Sequence, residues 1–217
     1  MIKYFTIYGE RCSGTNFLLH AIEDNFNLEF SNNYSWKHFF GHYNFEKNDI
    51  EDETLFIGII RNPVEWIDSF YKKMHHIPSE NKINIFTFLF NEFHSVYENS
   101  NKEIMEDRHI LTKERYKNIF ELRKVKNDYL TKTMPNSVKN YILIRYEDLR
   151  DNYEAVLNFI KKKFNLVQKN NIFKKIFSYK GNNELLYIKK RIILKKRIIK
   201  LILHNLDIEQ ENGIGYK

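Results

Sequence analysis

Apolar positions in this chain fall into two rhythms, short β-branched and aromatic runs and longer stretches with helical spacing. Ile2–Tyr8 is a run of the first kind, ends at Gly9 and predicts a buried first strand. From Gly14 to Phe26, the residues Phe17, Leu18, Ala21, Ile22 and Phe26 recur at helical spacing. Tyr34–Phe40 predicts a second strand, and the nearly unbroken run Thr54–Ile60 predicts a strand covered on both faces. Asn62-Pro63 then opens a helix, because Asn caps well and Pro fits the first turn. Helices are also expected over Ile85–Tyr97 and Lys117–Met134, and Tyr141–Ile144 reads as another buried strand. A helix over Asn152–Phe164 follows, with Asp151 and Glu154 as its capping box.

Strands alternating with helices predict an α/β fold, a central, mostly parallel sheet with helices on both faces in three α/β/α layers. The expectation is one domain over residues 1–217. It includes a helical lid or wall at about 75–135 and a basic helix at about 185–206.

The 217 residues are 42% hydrophobic and 16% aromatic, enough for one packed core, which makes disorder the wrong starting point. The net charge of +7 favours anionic partners such as nucleotides, sulfated or phosphorylated ligands, nucleic acid or a membrane surface, without choosing among them. The single cysteine, Cys12, excludes an intramolecular disulfide and a multi-cysteine metal site. Neither a secretory signal nor a bilayer-spanning run is visible, so a cytoplasmic location is expected.

Candidate chemistry begins between the first strand and the first helix. Gly9-Glu10-Arg11-Cys12-Ser13-Gly14-Thr15-Asn16 has the Gly-x4-Gly spacing of a Walker A loop, in which backbone N–H groups and a helix N-terminus form a cup for an anion. Ser13, Thr15 and Asn16 add donors, and Arg11 adds a fixed charge. Thr15-Asn16 stands where the Lys-Ser/Thr pair would be, which disfavours an ATPase or GTPase. A second anion site is expected where Arg61 sits at the carboxyl end of a buried strand and Ser69 lies two helical turns on.

Together these segments resemble the PAPS-dependent sulfotransferase family, where PAPS is 3′-phosphoadenosine 5′-phosphosulfate. Arg11–Asn16 is similar to the family's 5′-phosphosulfate loop, and Ile60-Arg61-Asn62-Pro63 with Ser69-Phe70-Tyr71 to its 3′-phosphate motif. Ile144–Leu149 is similar to its Arg-Tyr-Glu-Asp-Leu stretch, and Gly215-Tyr216 to the chain end of several members. The resemblance covers residues 2–74 and 140–165 best.

It implies a P-loop nucleoside triphosphate hydrolase-like fold and transfer of a sulfuryl group from PAPS to a hydroxyl or amine of a glycan or small molecule, with release of 3′,5′-ADP and no metal. Arg11, Cys12, Ser13, Gly14, Thr15 and Asn16 would hold the 5′-phosphosulfate, Arg61 and Ser69 the 3′-phosphate, and Lys180-Gly181 a further contact to it. Cys12 replaces the lysine of many members, which leaves Arg11 and Lys37 as candidates for stabilising the leaving group. His38 is the expected general base, with His42 second, and His75-His76 would line the acceptor entrance.

Two other classes stay open, a P-loop nucleotide kinase or NTPase and a non-enzymatic polyanion-binding module. The Lys/Arg runs between Lys189 and Lys200, interleaved with Ile and Leu, suit either an anionic membrane surface or a polyanionic acceptor. No nucleic-acid partner is expected.

Overall fold

The computed structural model describes residues 1–43, 45, 49–182 and 186–216. It is an α/β structure whose sheet has four parallel strands, β1 (Tyr4–Tyr8), β2 (Glu29–Phe30), β3 (Thr54–Ile60) and β4 (Tyr141–Arg145), in the order β2-β1-β3-β4. Tyr4 to Tyr8 pair with Thr54 to Gly58, and Phe56 to Ile60 with Tyr141 to Arg145. The helices are α1 (Thr15–Asn25), α2 (Asp49–Asp52), α3 (Pro63–Lys72), α4 (Ile85–Phe90), α5 (Ile119–Asp128), α6 (Met134–Ser137), α7 (Tyr146–Asp151), α8 (Tyr153–Phe164), α9 (Lys196–Asn205) and α10 (Ile208–Gly213).

Every residue of β3 is buried because helices pack on both sides of it. Leu55, Ile57 and Ile59 join Phe17 and Leu18 of α1 and Leu157 of α8 in one core. Phe56 and Ile60 point the other way, into a core with Tyr129, Leu130 and Met134. This is the period-two alternation of a strand buried on two faces. A third core, with Trp66, Phe70, Phe88, Leu122 and Ile202, joins α3, α4, α5 and α9 beside the sheet.

The structure departs from the sequence reading at several elements. Tyr34–Phe40 is a run of turns rather than a strand, with Ser35 at a positive φ of 79°. It is tied to the sheet by the Tyr8 hydroxyl donated to the Tyr34 carbonyl and, just beyond β1, by the Gly9 N–H donated to the Lys37 carbonyl at 2.9 Å, and the strand on that edge of β1 is the two-residue β2. The helix expected over Ile85–Tyr97 ends at Phe90, because Phe93 exchanges two backbone hydrogen bonds with Tyr116. Asp151 and Glu154 form no capping box, since Asp151 is held by the Arg150 guanidinium in two bonds of 2.7 Å and Asn152 occupies the cap position.

The basic helix is shorter than expected. It begins at Lys196, and residues 186–195 run without helix because Asp68 Oδ1 accepts the N–H groups of Ile193 (3.0 Å) and Leu194 (3.3 Å). Leu185, the expected start, lies outside the described residues.

Candidate anion-binding site

The strand order places the site. From β1 the chain goes to one side for β2 and returns to the other side for β3, so the order reverses between β1 and β3. Ligands in open parallel sheets bind in the crevice beyond the carboxyl ends of such a pair. The loop after β1 and the turn after β3 flank that crevice here.

The loop is held at each step. Gly9 lies so close to Ile59 that an added Cβ would sit 2.6 Å from Ile59 Cγ2 and 2.7 Å from its carbonyl oxygen. The indole N–H of Trp66 donates to the Arg11 carbonyl at 2.8 Å, and Arg61 Nη1 donates to the Cys12 carbonyl at 3.0 Å. Gly14 caps α1 with φ at +103°, and a Cβ there would meet Tyr146 Cδ2 at 2.4 Å. Only glycine meets both demands. The first turn of α1 carries no acidic residue and no side-chain cap, which leaves its partial positive charge for an anion.

A cavity of about 350 Å³ opens onto this loop, lined by Cys12, Gly14, Thr15 and Asn16 and, from the other side, by Arg61 and Ser69. The two predicted anion segments therefore share one cavity, at the lower end of the roughly 300–1,000 Å³ common for small-molecule sites. Arg61 is fixed by three contacts. Besides the Cys12 carbonyl, its guanidinium lies 4.5 Å from the centre of the Tyr146 ring and 3.5 Å from Glu65. Asn62 accepts the N–H groups of Val64 and Glu65 and so caps α3 as expected, which aims Ser69 at the cavity.

The cavity is electropositive. Of its two carboxylates, Glu65 is engaged by Arg150 (3.2 Å) and Arg61, and Asp68 by Lys72 (2.5 Å) and two backbone N–H groups. Lys73 and Lys190 also line it and form no ion pair among the described residues. Burial, and then the charges of Lys73, Lys72 and Arg61, lower the Lys190 ammonium below its ordinary pKa. Cations crowded closely enough to disfavour one another's charge are a place where an anion binds.

The remaining expected residues divide. Arg11 does not line the cavity. Its fully buried guanidinium bonds to Glu10 (2.8 Å), Ser95 Oγ (2.7 Å), the His76 carbonyl (3.1 Å) and Asp107 (3.1 Å). Lys126 completes this network with bonds to Glu10 (2.6 Å) and Asp107 (2.5 Å) and to the His38 carbonyl (2.7 Å). Two cations and two carboxylates are thus neutralised inside the protein, as burial of charge requires. Burial pushes the Glu10 carboxyl up, but Lys126 and Arg11 hold it well below the usual carboxylate range.

Ser13 Oγ is also turned inward, beneath Gly9 and away from the cavity. Lys37 reaches the loop and donates to Asn16 Oδ1 at 2.5 Å. Gly181, itself exposed, ends the 3-10 turn Tyr179–Gly181, whose Tyr179 lines the cavity, while the side chain of Lys180 lies outside the described residues.

Burial raises the Cys12 thiol to about 11, partly offset by its hydrogen bond to Ser69, so it is a neutral filler. His38 lines the cavity, and burial lowers its pKa to about 3, against the opposing pull of the Gly9 carbonyl. Gly9 O can only accept, so the hydrogen of the neutral ring is on Nδ1 at 2.7 Å and Nε2 carries a lone pair. His75 repeats the pattern on the cavity wall, with Nδ1 donating to the Lys73 carbonyl at 2.7 Å. His42 does not line the cavity and instead meets Lys113 Nζ at 3.1 Å.

Sequence reasoning missed Tyr146, Lys72, Lys73 and Lys190 as lining residues. The Lys72-Lys73 pair, placed one turn beyond Ser69, is a signal that helical spacing offered. Lys190 reaches the cavity only through the non-helical path of residues 186–195, which no local pattern announces. Arg145-Tyr146-Glu147-Asp148 forms ion pairs and supports the turn. Arg145 grips Asp148 in two bonds (2.8 and 2.9 Å), and Glu147 accepts the Asn62 N–H (3.0 Å) and the Tyr216 hydroxyl (2.9 Å).

Among the described residues, no group of three or more His, Cys, Asp or Glu is placed to hold a metal ion, and no helix is long and apolar enough to cross a membrane. Comparison with family models, curated proteins and solved structures finds no match for this chain.

Proposed function

We propose that this chain is a PAPS-dependent sulfotransferase with a three-layer, P-loop nucleoside triphosphate hydrolase-like fold. The observation that carries the reading is the single cavity bounded by the Gly14–Asn16 turn on one side and by Arg61 and Ser69 on the other, with Lys72, Lys73 and Lys190 around it. A nucleotide with phosphates at both its 5′ and 3′ positions presents two separated anions, which is what such a cavity accommodates.

The 5′-phosphosulfate is assigned to Gly14, Thr15 and Asn16 at the N-terminus of α1, with Lys37 beside Asn16. The 3′-phosphate is assigned to Arg61 and Ser69, supported by the neighbouring lysines. Arg11 drops out of phosphate binding because its donors are spent in the buried network.

In the reaction, an acceptor hydroxyl or amine gives its proton to Nε2 of a neutral histidine, either the expected His38, a weak base because burial holds its pKa at about 3, or the less buried His75 on the wall. The acceptor atom attacks sulfur while the bond from sulfur to the bridging phosphate oxygen breaks. The electron pair leaves on that oxygen as 3′,5′-ADP. Charge building there meets the α1 N-terminus and Lys37, which are positioned before the step begins.

Isothermal titration with 3′,5′-ADP tests the reading. Binding is expected, with weaker binding of 5′-AMP, which lacks the 3′-phosphate, and loss of that preference in Arg61→Ala. No heat of binding with 3′,5′-ADP removes the proposal, and magnesium-dependent binding of ATP in its place points to a kinase or NTPase.

A further inference from the structure

Charge is distributed unevenly along the chain. Residues 165–206 carry eleven Lys and Arg against one Glu, whereas the other residues carry 24 Lys and Arg against 27 Asp and Glu. The whole positive balance therefore lies in one segment, which lines the cavity with Tyr179 and part of the stretch 186–192 and then continues into α9.

The same segment exposes large apolar side chains. Phe177 is 65% exposed, Ile188 53% and Ile193 62%, and none of them belongs to the three cores. The stretches that carry Phe177 and Ile188 run beside each other, because the Tyr187 N–H donates to the Phe177 carbonyl at 2.8 Å and Ser178 bridges to Leu186. Cations surround them. Lys175 Nζ lies 5.7 Å from the centre of the Phe177 ring, and Lys189, Lys190 and Arg191 follow Ile188 directly. On α9, Ile198 and Ile202 are buried against the body while Lys196, Arg197 and Lys200 face solvent.

We propose that this segment docks the protein on an anionic lipid membrane, with the cavity mouth beside the headgroups. Exposed Phe and Ile interleaved with Lys and Arg fit the interfacial layer, where rings and aliphatic chains leave water while the cations meet anionic headgroups. A polyanion in solution would neutralise the cations and leave Phe177, Ile188 and Ile193 in water, so the apolar residues decide for the membrane. Ile188 and Lys190 line the cavity as well as belonging to this surface, so docking places the cavity within reach of a headgroup-level molecule. The proposal stands apart from the nucleotide reading.

Co-sedimentation of the full chain with vesicles tests it. Vesicles of phosphatidylcholine containing about one-third phosphatidylserine are expected to pellet the protein, pure phosphatidylcholine vesicles are not, and added salt should weaken binding. The double variant Lys189→Ala, Arg191→Ala should lower the partition coefficient by roughly tenfold or more. Phe177→Asn combined with Ile193→Asn should lower vesicle binding while leaving heparin binding unchanged. All four side chains are exposed, and thermal melts confirm that the variants remain folded; the wild-type comparison of the two lipids decides even if one variant is lost. Absence of binding to the anionic vesicles overturns the proposal. So does vesicle binding that is indifferent to loss of Phe177 and Ile193, which would mark a site for polyanions in solution.

Discussion

Arg61 donates from Nη1 to the carbonyl oxygen of Cys12 across 3.0 Å while its guanidinium lies 4.5 Å from the centre of the Tyr146 ring. One side chain thus reads the loop after β1, the helix after β4 and the cavity between them. A lysine can supply the charge but not the planar contact and the directed donors together. Arg61→Lys is therefore expected to behave more like Arg61→Ala than like the parent. A loss of about 1.5–3 kcal/mol, roughly ten- to a hundredfold in 3′,5′-ADP affinity, should appear in titration calorimetry for either change. Full affinity in Arg61→Lys would show that only net charge matters at this position.

Gly14 faces two separate demands, a φ of +103° and the Tyr146 ring at 2.4 Å from where a Cβ would stand. Gly14→Ala should cost about 2 kcal/mol or more in a urea unfolding series. The cost should shrink in a Tyr146→Ala background, because the contact disappears while the backbone strain remains. An equal cost in both backgrounds would assign the whole effect to the backbone.

Two neighbouring lysines of α5 offer a controlled contrast. Lys126 is buried between Glu10 and Asp107, whereas Lys124 pairs with Asp207 at the surface. Lys126→Met leaves one cation against two buried carboxylates and should cost about 3–5 kcal/mol. Lys124→Met should cost about 1 kcal/mol or less. Chemical denaturation midpoints give both numbers, and similar values would mean that the buried network is not a single electrostatic unit.

His38 makes stability depend on pH with a definite sign. Burial holds its pKa at about 3 in the folded chain, while an unfolded histidine titrates near 6.5. Above about pH 6.5 both states bind no proton at this ring, so its contribution is complete there. As pH falls below about 6.5 the unfolded chain takes up a proton that the folded chain refuses, and stability declines towards pH 3. The stability difference between the parent and His38→Gln should therefore shift by about 2 kcal/mol against the parent between pH 7 and pH 5. A constant difference over that range would place the ring in contact with water.

Much of the sheet was legible because its signals are local. Thr54–Ile60 reads as a doubly covered strand from its own composition, and Asn62-Pro63 carries its cap within four residues. The two glycines of the loop announced themselves by spacing, and their reasons, Ile59 and Tyr146, are steric and near at hand in space. The fate of Arg11 was not legible, because Ser95 and Asp107 lie 84 and 96 residues away in the chain and no pattern links them to the loop. Residues 186–195 misled for a similar reason. Their amphipathic spacing suits a helix, but Asp68, more than a hundred residues earlier, captures the amides of Ile193 and Leu194 and holds them out of one.

The shared charges of Glu10, Arg11, Asp107 and Lys126 tie the loop after β1 to the Ser95–Asp107 stretch and to α5. Swinging the Ser95–Asp107 stretch outward would strand ions in apolar surroundings at a cost of several kcal/mol. Residues 186–192, which line the cavity, carry no such buried ion pair among the described residues and are fastened just beyond their end by two amides on Asp68.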